Sequence, residues 1–306
     1  MSNKIVVVGS SNVDLIVKSD KIPKLGETVL GGTFYKAAGG KGANQAVAAS
    51  RAGGDVSFIS CVGDEYGEES IEGFRKDGIN VDHVKKDPDV ATGIALILVD
   101  KNGENSISVA SGANLSLSVS DIQNAQHIIA DAEVLLMQLE ISMDVVEEAA
   151  IIAAAADVKT ILNPAPAQAL SDELLKSVSI LTPNESETEI LTGMPVKNES
   201  DARKAAALLH KKGVDVVIIT IGSKGALLSS GEETKIISGH IVEAKDTTAA
   251  GDVFNGALAV AIAEKKSLDE AIRFANAAAA VSVTRMGAQP SVPFRDEIDD
   301  MLKASM

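Results

Sequence analysis

The 306-residue chain has no tryptophan and only 3% aromatic residues, so few rings are available to stack a purine. Cysteine is represented by Cys61 only, and one thiol makes neither an internal disulfide nor a multi-thiolate zinc site. A reducing compartment is expected. The four histidines, His83, His127, His210 and His240, lie far apart in the chain and share no metal-ligand spacing. Basic residues are outnumbered, 28 Lys and Arg against 43 Asp and Glu, and a formal charge of -15 repels nucleic-acid backbones and anionic membranes alike. Neither is expected as a partner, and solubility is the plain reading of the acidity. Long apolar runs are also missing. Near the start, Ile5-Val6-Val7-Val8 gives four apolar residues, well short of a signal-peptide core or a membrane span, so a cytoplasmic location is expected. Without a secretion signal, the Asn-x-Ser triplets at Asn114, Asn184 and Asn198 are chance matches to a glycosylation pattern. No Pro/Ser linker, low-complexity tract or internal repeat divides the chain, which reads as a single unit over 1–306.

What is present is an alternation of short β-branched runs with longer Ala-rich stretches. The runs are Lys4 to Gly9, Val56 to Val62, Val134 to Met137, Lys159 to Leu162, Ile180 to Leu181 and Val214 to Thr220. Continuous apolar runs such as Val216-Val217-Ile218-Ile219 suit strands covered on both faces, so an α/β, Rossmann-like fold with a mostly parallel central sheet flanked by helices is expected. The helices fall at Asn44 to Ala52, Glu65 to Asp77, Ser142 to Ala156, Asp201 to Lys212, Ala250 to Glu264 and Leu268 to Thr284. Two regions, about 15–36 and 92–109, alternate polar with apolar residues, and Asp100-Lys101-Asn102-Gly103-Glu104 supplies a turn. These predict hairpin strands outside the main sheet, inserted as a small β-sheet lid.

The heptad Asp246-Thr247-Thr248-Ala249-Ala250-Gly251-Asp252 places small residues at the start of an apolar helix. First-turn N–H groups of Ala250, Gly251 and Asp252 would form a cradle for phosphate charge, helped by the helix dipole. Asp252 beside it is placed to accept the proton of an attacking hydroxyl; a capping role for the same Asp remains open. A second glycine-rich turn, Gly39-Gly40-Lys41-Gly42-Ala43-Asn44, also leads into a helix. It is no Walker A loop, because Gly42 follows Lys41, and neither it nor Gly9-Ser10-Ser11 matches G-x-G-x-x-G. That disfavours an NAD-dependent oxidoreductase. Asn12, Asp14 and Asn44 would meet at one end of the sheet, where an ionised Asp with Asn and Lys donors suits the vicinal hydroxyls of a polyol.

These motifs, in this order and over nearly the whole length from Gly9-Ser10-Ser11-Asn12-Val13-Asp14 to Gly287-Ala288-Gln289-Pro290-Ser291, resemble the ribokinases within the ribokinase/phosphofructokinase-B superfamily of carbohydrate kinases. The resemblance implies ATP-dependent phosphorylation of D-ribose at its terminal 5-hydroxyl, with Asp252 as base and the 250–252 helix start as anion hole. It implies that Asn12, Val13, Asp14, Gly40, Lys41, Gly42, Ala43, Asn44 and Glu140 bind the sugar. Asn184 and Glu187 match an Asn-x-x-Glu motif that would place Mg²⁺ through water, although the same spacing fits a helix-capping pattern. Nucleotide contacts carry over to Thr220, Ile221, Gly222, Ser223, Lys224 and Gly225, and to Asn276. A potassium or other monovalent-cation site carries over to Asp246, Thr248, Ser282, Arg285, Gly287 and Ser291. A homodimer formed through the lid is also implied. One departure is Ala249, where many superfamily members have Gly, so the turn before the cradle must tolerate a Cβ.

Other readings stand beside this one. Another sugar or a nucleoside could be the acceptor, and few aromatic residues beyond Phe34-Tyr35 lie near the sugar motif. A non-catalytic sugar or nucleotide sensor would keep the fold and lack turnover.

Overall fold

Strand β1 (Lys4–Val8) is buried from Ile5 onward, as an apolar run must be to lie in the middle of a sheet covered on both faces. The computed structural model describes residues 3–231 and 233–304. After β1 come β2 (Asn12–Lys18) and β3 (Thr33–Gly39), an antiparallel pair, then the Lys41–Arg51 helix and β4 (Asp55–Gly63). The Gly67–Lys76 helix leads to β5 (Val84–Asp87) and a second antiparallel pair, β6 (Gly93–Val99) and β7 (Asn105–Ala110). The remaining strands are β8 (Val134–Met137), β9 (Lys159–Leu162), β10 (Ile180–Leu181), β11 (Val216–Thr220), β12 (Gly225–Ser230) and β13 (Glu233–Ser238).

Nine strands form one sheet in the order β13-β12-β11-β10-β9-β8-β1-β4-β5, and four form another in the order β3-β2-β6-β7. From β11 to β5 the large sheet is parallel throughout; β12 and β13 add an antiparallel edge. The α/β expectation holds, and the two β-rich regions do form a second small sheet. The β12–β13 edge, β5 and the helices Val119–Asn124, Gln126–Ala130, Asp172–Ser177 and Arg295–Ala304 went unanticipated, and two details of the small sheet differ from expectation. Its strands begin at Asn12 and end at Gly39, outside the expected 15–36 bounds, because β2 departs only three residues after β1 ends. Nor are the hairpins separate: β2 pairs with β6 in parallel, joining them. The expected unit over 1–306 includes residues 1, 2, 232, 305 and 306, which lie outside the described residues. Among the described residues, no helix is long and apolar enough to cross a membrane.

The large sheet buries alternate residues on opposite faces, as the strand period requires. Ile5 and Val7 pack with the Lys41–Arg51, Ala250–Ala263 and Leu268–Ser282 helices, whereas Val6 and Val8 pack with the Met143–Ala155 and Glu199–Lys211 helices. Each large aliphatic side chain so buried contributes about 1.5–3 kcal/mol. Cys61 is fully buried in the second of these clusters. The first cluster is rich in alanine, which lets helices approach closely. The Lys41–Arg51 and Ala250–Ala263 helices touch at Gly256, where a Cβ would lie 2.6 Å from Ala48 Cβ and 2.7 Å from the Gln45 carbonyl oxygen.

That contact makes a prediction. Gly256→Ala gains about 1 kcal/mol of helix propensity, but its Cβ meets backbone that cannot rotate away, at an overpacking cost of about 1–3 kcal/mol. The variant is expected to unfold at lower denaturant than the wild type; an equal or higher midpoint would show that the helices separate freely.

Candidate active site

The carboxylate of Asp252 is 6% exposed and lies in the first turn of the Ala250–Ala263 helix. Asn44 Nδ2 donates to its Oδ2 at 3.0 Å and Gln45 Nε2 donates to its Oδ1 at 3.0 Å. Both oxygens are thus engaged across the helix pair, and Asp252 does not cap its own helix. Burial pushes the Asp252 carboxyl above its ordinary value, while Lys41, Asn44 and Gln45 pull it back and Glu140 adds to the rise. A raised carboxylate is a stronger proton acceptor than an exposed one.

The helix start departs from expectation at one point. Ala249 adopts a left-handed conformation, φ 59°, despite its Cβ, at a cost of about 1–2 kcal/mol. The resulting turn directs the Ala250 N–H to the Thr247 carbonyl at 3.2 Å. Ala250 is therefore spent within the turn, and among the described residues only the Gly251 and Asp252 N–H groups of the expected three lack a protein partner. They still form an anion-binding helix start.

The second glycine-rich turn does something else. Ser10 and Glu140 occupy the start of the Lys41–Arg51 helix: Lys41 N–H donates to Glu140 Oε2 at 2.9 Å, Gly42 N–H to Ser10 Oγ at 3.2 Å and Ala43 N–H to the Ser10 carbonyl at 2.8 Å. Ser10 Oγ also donates to Glu140 Oε2 at 2.6 Å. Gly42 and Ala43 thus have no free N–H for a ligand. Gly40, at φ 88°, is required by close approach: a Cβ there would lie 2.6 Å from the Asn12 nitrogen. Asn12 and Asp14, expected at the end of the large sheet, stand on β2 of the small one, and Val13 points to the opposite face of that strand by alternation. Asn12 Oδ1 accepts from Asn114 Nδ2 at 2.7 Å, and Asn114 Oδ1 accepts from the Ser11 N–H at 2.8 Å. Burial, then Glu140 and Asp252, push Asp14 up to about 6. These carboxylates consequently converge on one space.

Lys41 also faces Asp252. It lines a cavity of about 180 Å³ with Asn184, Glu187, Thr247, Gly251 and Asp252. Burial works against the Lys41 ammonium, but Asp252, Glu140 and Glu187 outweigh it and its pKa is raised. Asn184 and Glu187 form the reciprocal cap their spacing suggested, with Glu187 N–H donating to Asn184 Oδ1 and Asn184 N–H to Glu187 Oε2, each at 2.8 Å. Both still line the cavity, and burial raises Glu187.

A wider cleft of about 470 Å³ adjoins through Asn184, Thr220, Thr247, Ala250 and Gly251, within the size range of small-ligand pockets. Thr220, Gly222, Ser223 and Gly225 line it; Ile221 packs toward the core instead, and Lys224 is not part of the wall. Asn276 is buried rather than on the helix surface, and its Nδ2 donates to the Ile237 and Ser238 carbonyls at 3.2 Å each. Its neighbours Val242, Ala244, Phe254, Ala279 and Val283 carry no motif and were not legible beforehand. Of the expected cation set, Asp246 accepts from Thr248 N–H at 2.9 Å and from Gly287 N–H at 2.8 Å, which brings these three residues together. Ser282 and Ser291 turn their hydroxyls onto nearby carbonyls, and the Arg285 side chain pairs with Glu297.

This is a two-compartment site, polyol-like donors and acceptors on one side and an anion cradle with a cleft on the other, and the pfkB family of carbohydrate kinases matches residues 2–295. The chain belongs to that family. Among the members to which this carbohydrate kinase is similar, a ribokinase of Haemophilus influenzae is 49% identical over 304 residues, 99% of each chain. The structure of an Arabidopsis thaliana ribokinase complexed with ribose and ATP is 36% identical, with a TM-score of 0.92 over 99% of each chain. A ribokinase of Thermotoga maritima is 40% identical, with a TM-score of 0.89 over 98% of this chain and 99% of that one.

Asp14 makes the site costly to fold. Its carboxyl titrates at about 6 in the folded kinase against 3.8 for the free group, so the folded state holds the proton more tightly and stability falls as pH rises across that interval. Asp14→Asn is expected to unfold at higher denaturant than the wild type at pH 8, with the difference closing toward pH 4. Equal midpoints at pH 8 would contradict this.

Proposed function

We propose that the chain transfers the γ-phosphoryl group of ATP to the 5-hydroxyl of D-ribose, giving ribose 5-phosphate and ADP, with Asp252 as general base. The observation that carries this reading is the position of Asp252 between two compartments, its carboxylate facing Asp14 and Glu140 electrostatically and its N–H in the anion cradle. The similarity to ribokinases supports the choice of ribose and ATP.

In this reading Asp14, Glu140 and the side-chain amides of Asn12 and Asn44 hold the ribose hydroxyls. Asp252 accepts the proton of the 5-hydroxyl as that oxygen bonds to phosphorus and the bond to the ADP oxygen breaks. Lys41 and the Gly251 and Asp252 N–H groups offset the charge that gathers on the transferred group. The wider cleft takes the nucleotide, with Thr220, Gly222, Ser223 and Gly225 along one wall. Asn184 and Glu187 fit a Mg²⁺ that keeps most of its waters, since they offer one amide and one carboxylate; the ion would shield phosphate charge. Asp246 ties Thr248 and Gly287 together through their N–H groups, and a monovalent cation such as K⁺ would be held there by the carbonyl oxygens of this loop pair.

The small sheet acts as a lid inserted into a single α/β unit. Asp14 shares a face with its strand partners Ala37 and Ala95, and the next row on that face is Tyr35, Ile16, Ile97 and Ile107. Tyr35, Ile107 and Val109 on this face are each at least half exposed. A second copy laid against this face would cover it, so a homodimer through the lid is the proposed assembly. Cys61, a buried thiol raised to about 11 by burial, gives no redox handle, and a reducing cytoplasm suits the chain.

ADP formation from Mg-ATP, assayed with free pentoses, hexoses and nucleosides and with or without K⁺, is expected to favour ribose. Asp252→Asn is expected to lower kcat by about 10²- to 10⁴-fold while ribose still binds. Preference for another acceptor would move the substrate, and absence of turnover with all of them would leave a sensor. Sedimentation equilibrium is expected to give twice the chain mass; a monomer at all concentrations would defeat the dimer.

A further inference from the structure

An ionised carboxylate only accepts hydrogen bonds, so both amides that face Asp252 must turn their NH₂ groups toward it. The two amides are held very differently. Among the described residues Asn44 Oδ1 is buried with no partner, so that side chain is fixed at one end only. Gln45 is fixed at both. Its Oε1 accepts from Gln138 Nε2 at 2.6 Å, and its Nε2 donates to Asn163 Oδ1 at 3.1 Å as well as to Asp252 Oδ1. Asn163 Nδ2 in turn donates to the Thr182 carbonyl at 3.1 Å. Thr182 Oγ1 donates to Asn255 Oδ1 at 2.6 Å, and Asn255 Nδ2 donates to the Gly251 carbonyl at 2.8 Å, beside the cradle. Gln45 and Gln138 are both 0% exposed.

We propose that Gln45 is the positioning residue for Asp252, reserving one carboxylate oxygen and its rotation so that the other faces the acceptor hydroxyl. The proposal rests on Asp252 being the base. An amide with every hydrogen-bonding group committed has one orientation only, and a carboxylate tied to it inherits that orientation. Turning Gln45 would strand Gln138 Nε2, Asn163 Oδ1 and Asp252 Oδ1, which is costly in a buried site. Asn44, tied only through its Nδ2, does not fix the carboxylate in the same way. The ionisable groups around the carboxylate are Lys41, Glu140, Glu187 and Asp14, and all of them stay in place when Gln45 is changed.

The test is the pH profile of kcat in Gln45→Met, which keeps the length of the side chain and removes its donor. Expected are a kcat lower by about 10- to 100-fold, KM values for ribose and ATP within about 3-fold of wild type, and an acidic limb moved to higher pH. The sign follows because the lost hydrogen bond had favoured the anion. Gln138→Met, which leaves the donor and removes its anchor, is expected to shift both in the same direction by less. Adding Gln45→Met to Asp252→Asn should change kcat no further. A folded Gln45→Met with wild-type kcat and an unmoved acidic limb overturns the proposal; should that variant not fold, an unmoved profile in Gln138→Met overturns it. If Asp252→Asn itself keeps normal kcat, it is the base assignment that has failed, and the two failures are thereby told apart.

Discussion

The site depends on how closely two helices can pack. Gly256 lets the Ala250–Ala263 helix press against Ala48 and Ala49 of the Lys41–Arg51 helix. One turn earlier on the same faces stand Asp252 on one helix and Asn44 and Gln45 on the other. Residues 207 positions apart are thereby set at hydrogen-bond distance. A side chain as small as one methyl group at position 256 would separate them. Alanine abundance in these helices, which reads at first as featureless, is what permits the approach.

The charge balance of the site follows from that proximity. Asp14, Glu140 and Asp252 share a space with the single ammonium of Lys41. Glu140 is relieved by Ser10 and the Lys41 N–H, and Asp252 by two amides. Among the described residues Asp14 has no comparable relief, and burial, then Glu140 and Asp252, hold its carboxyl above the ordinary value. An uncharged polyhydroxyl ligand supplies donors to such a carboxylate without adding charge, whereas an anionic sugar would meet net repulsion. The fold thus keeps an under-satisfied acid where a ligand can satisfy it.

Much of this was legible in the residues. The order of strands and helices followed from run length and periodicity, and the heptad at 246–252 marked a helix start with an acid in its first turn. What stayed hidden depends on partners brought from elsewhere. Gln45 sits among alanines and reads as a helix-surface amide, and only Gln138 and Asn163 from distant loops make it part of the site. Asn114, which steadies Asn12, matched nothing but a chance glycosylation triplet. Asn12 and Asp14 read as polar groups at the end of the large sheet, and the polar/apolar alternation that marks the small sheet becomes regular only after them, which is why its expected start lies at 15 rather than 12. The β12–β13 edge lacks the β-branched signal of the central strands: β12 is Gly-Ala-Leu-Leu-Ser-Ser, and β13, at the sheet margin, mixes Glu, Thr, Lys and Ser with two isoleucines.

The passage from β3 into the Lys41–Arg51 helix consists of one residue, Gly40, and the passage from β1 into β2 of only three. The main chain therefore has almost no slack where the small sheet joins the large one. A tilt of β2 and β3 pulls on the backbone that carries Asp14 and, through Gly40, on the first turn that carries Lys41. A ligand that tilted the small sheet would thus displace the first turn of the Lys41–Arg51 helix through the main chain itself.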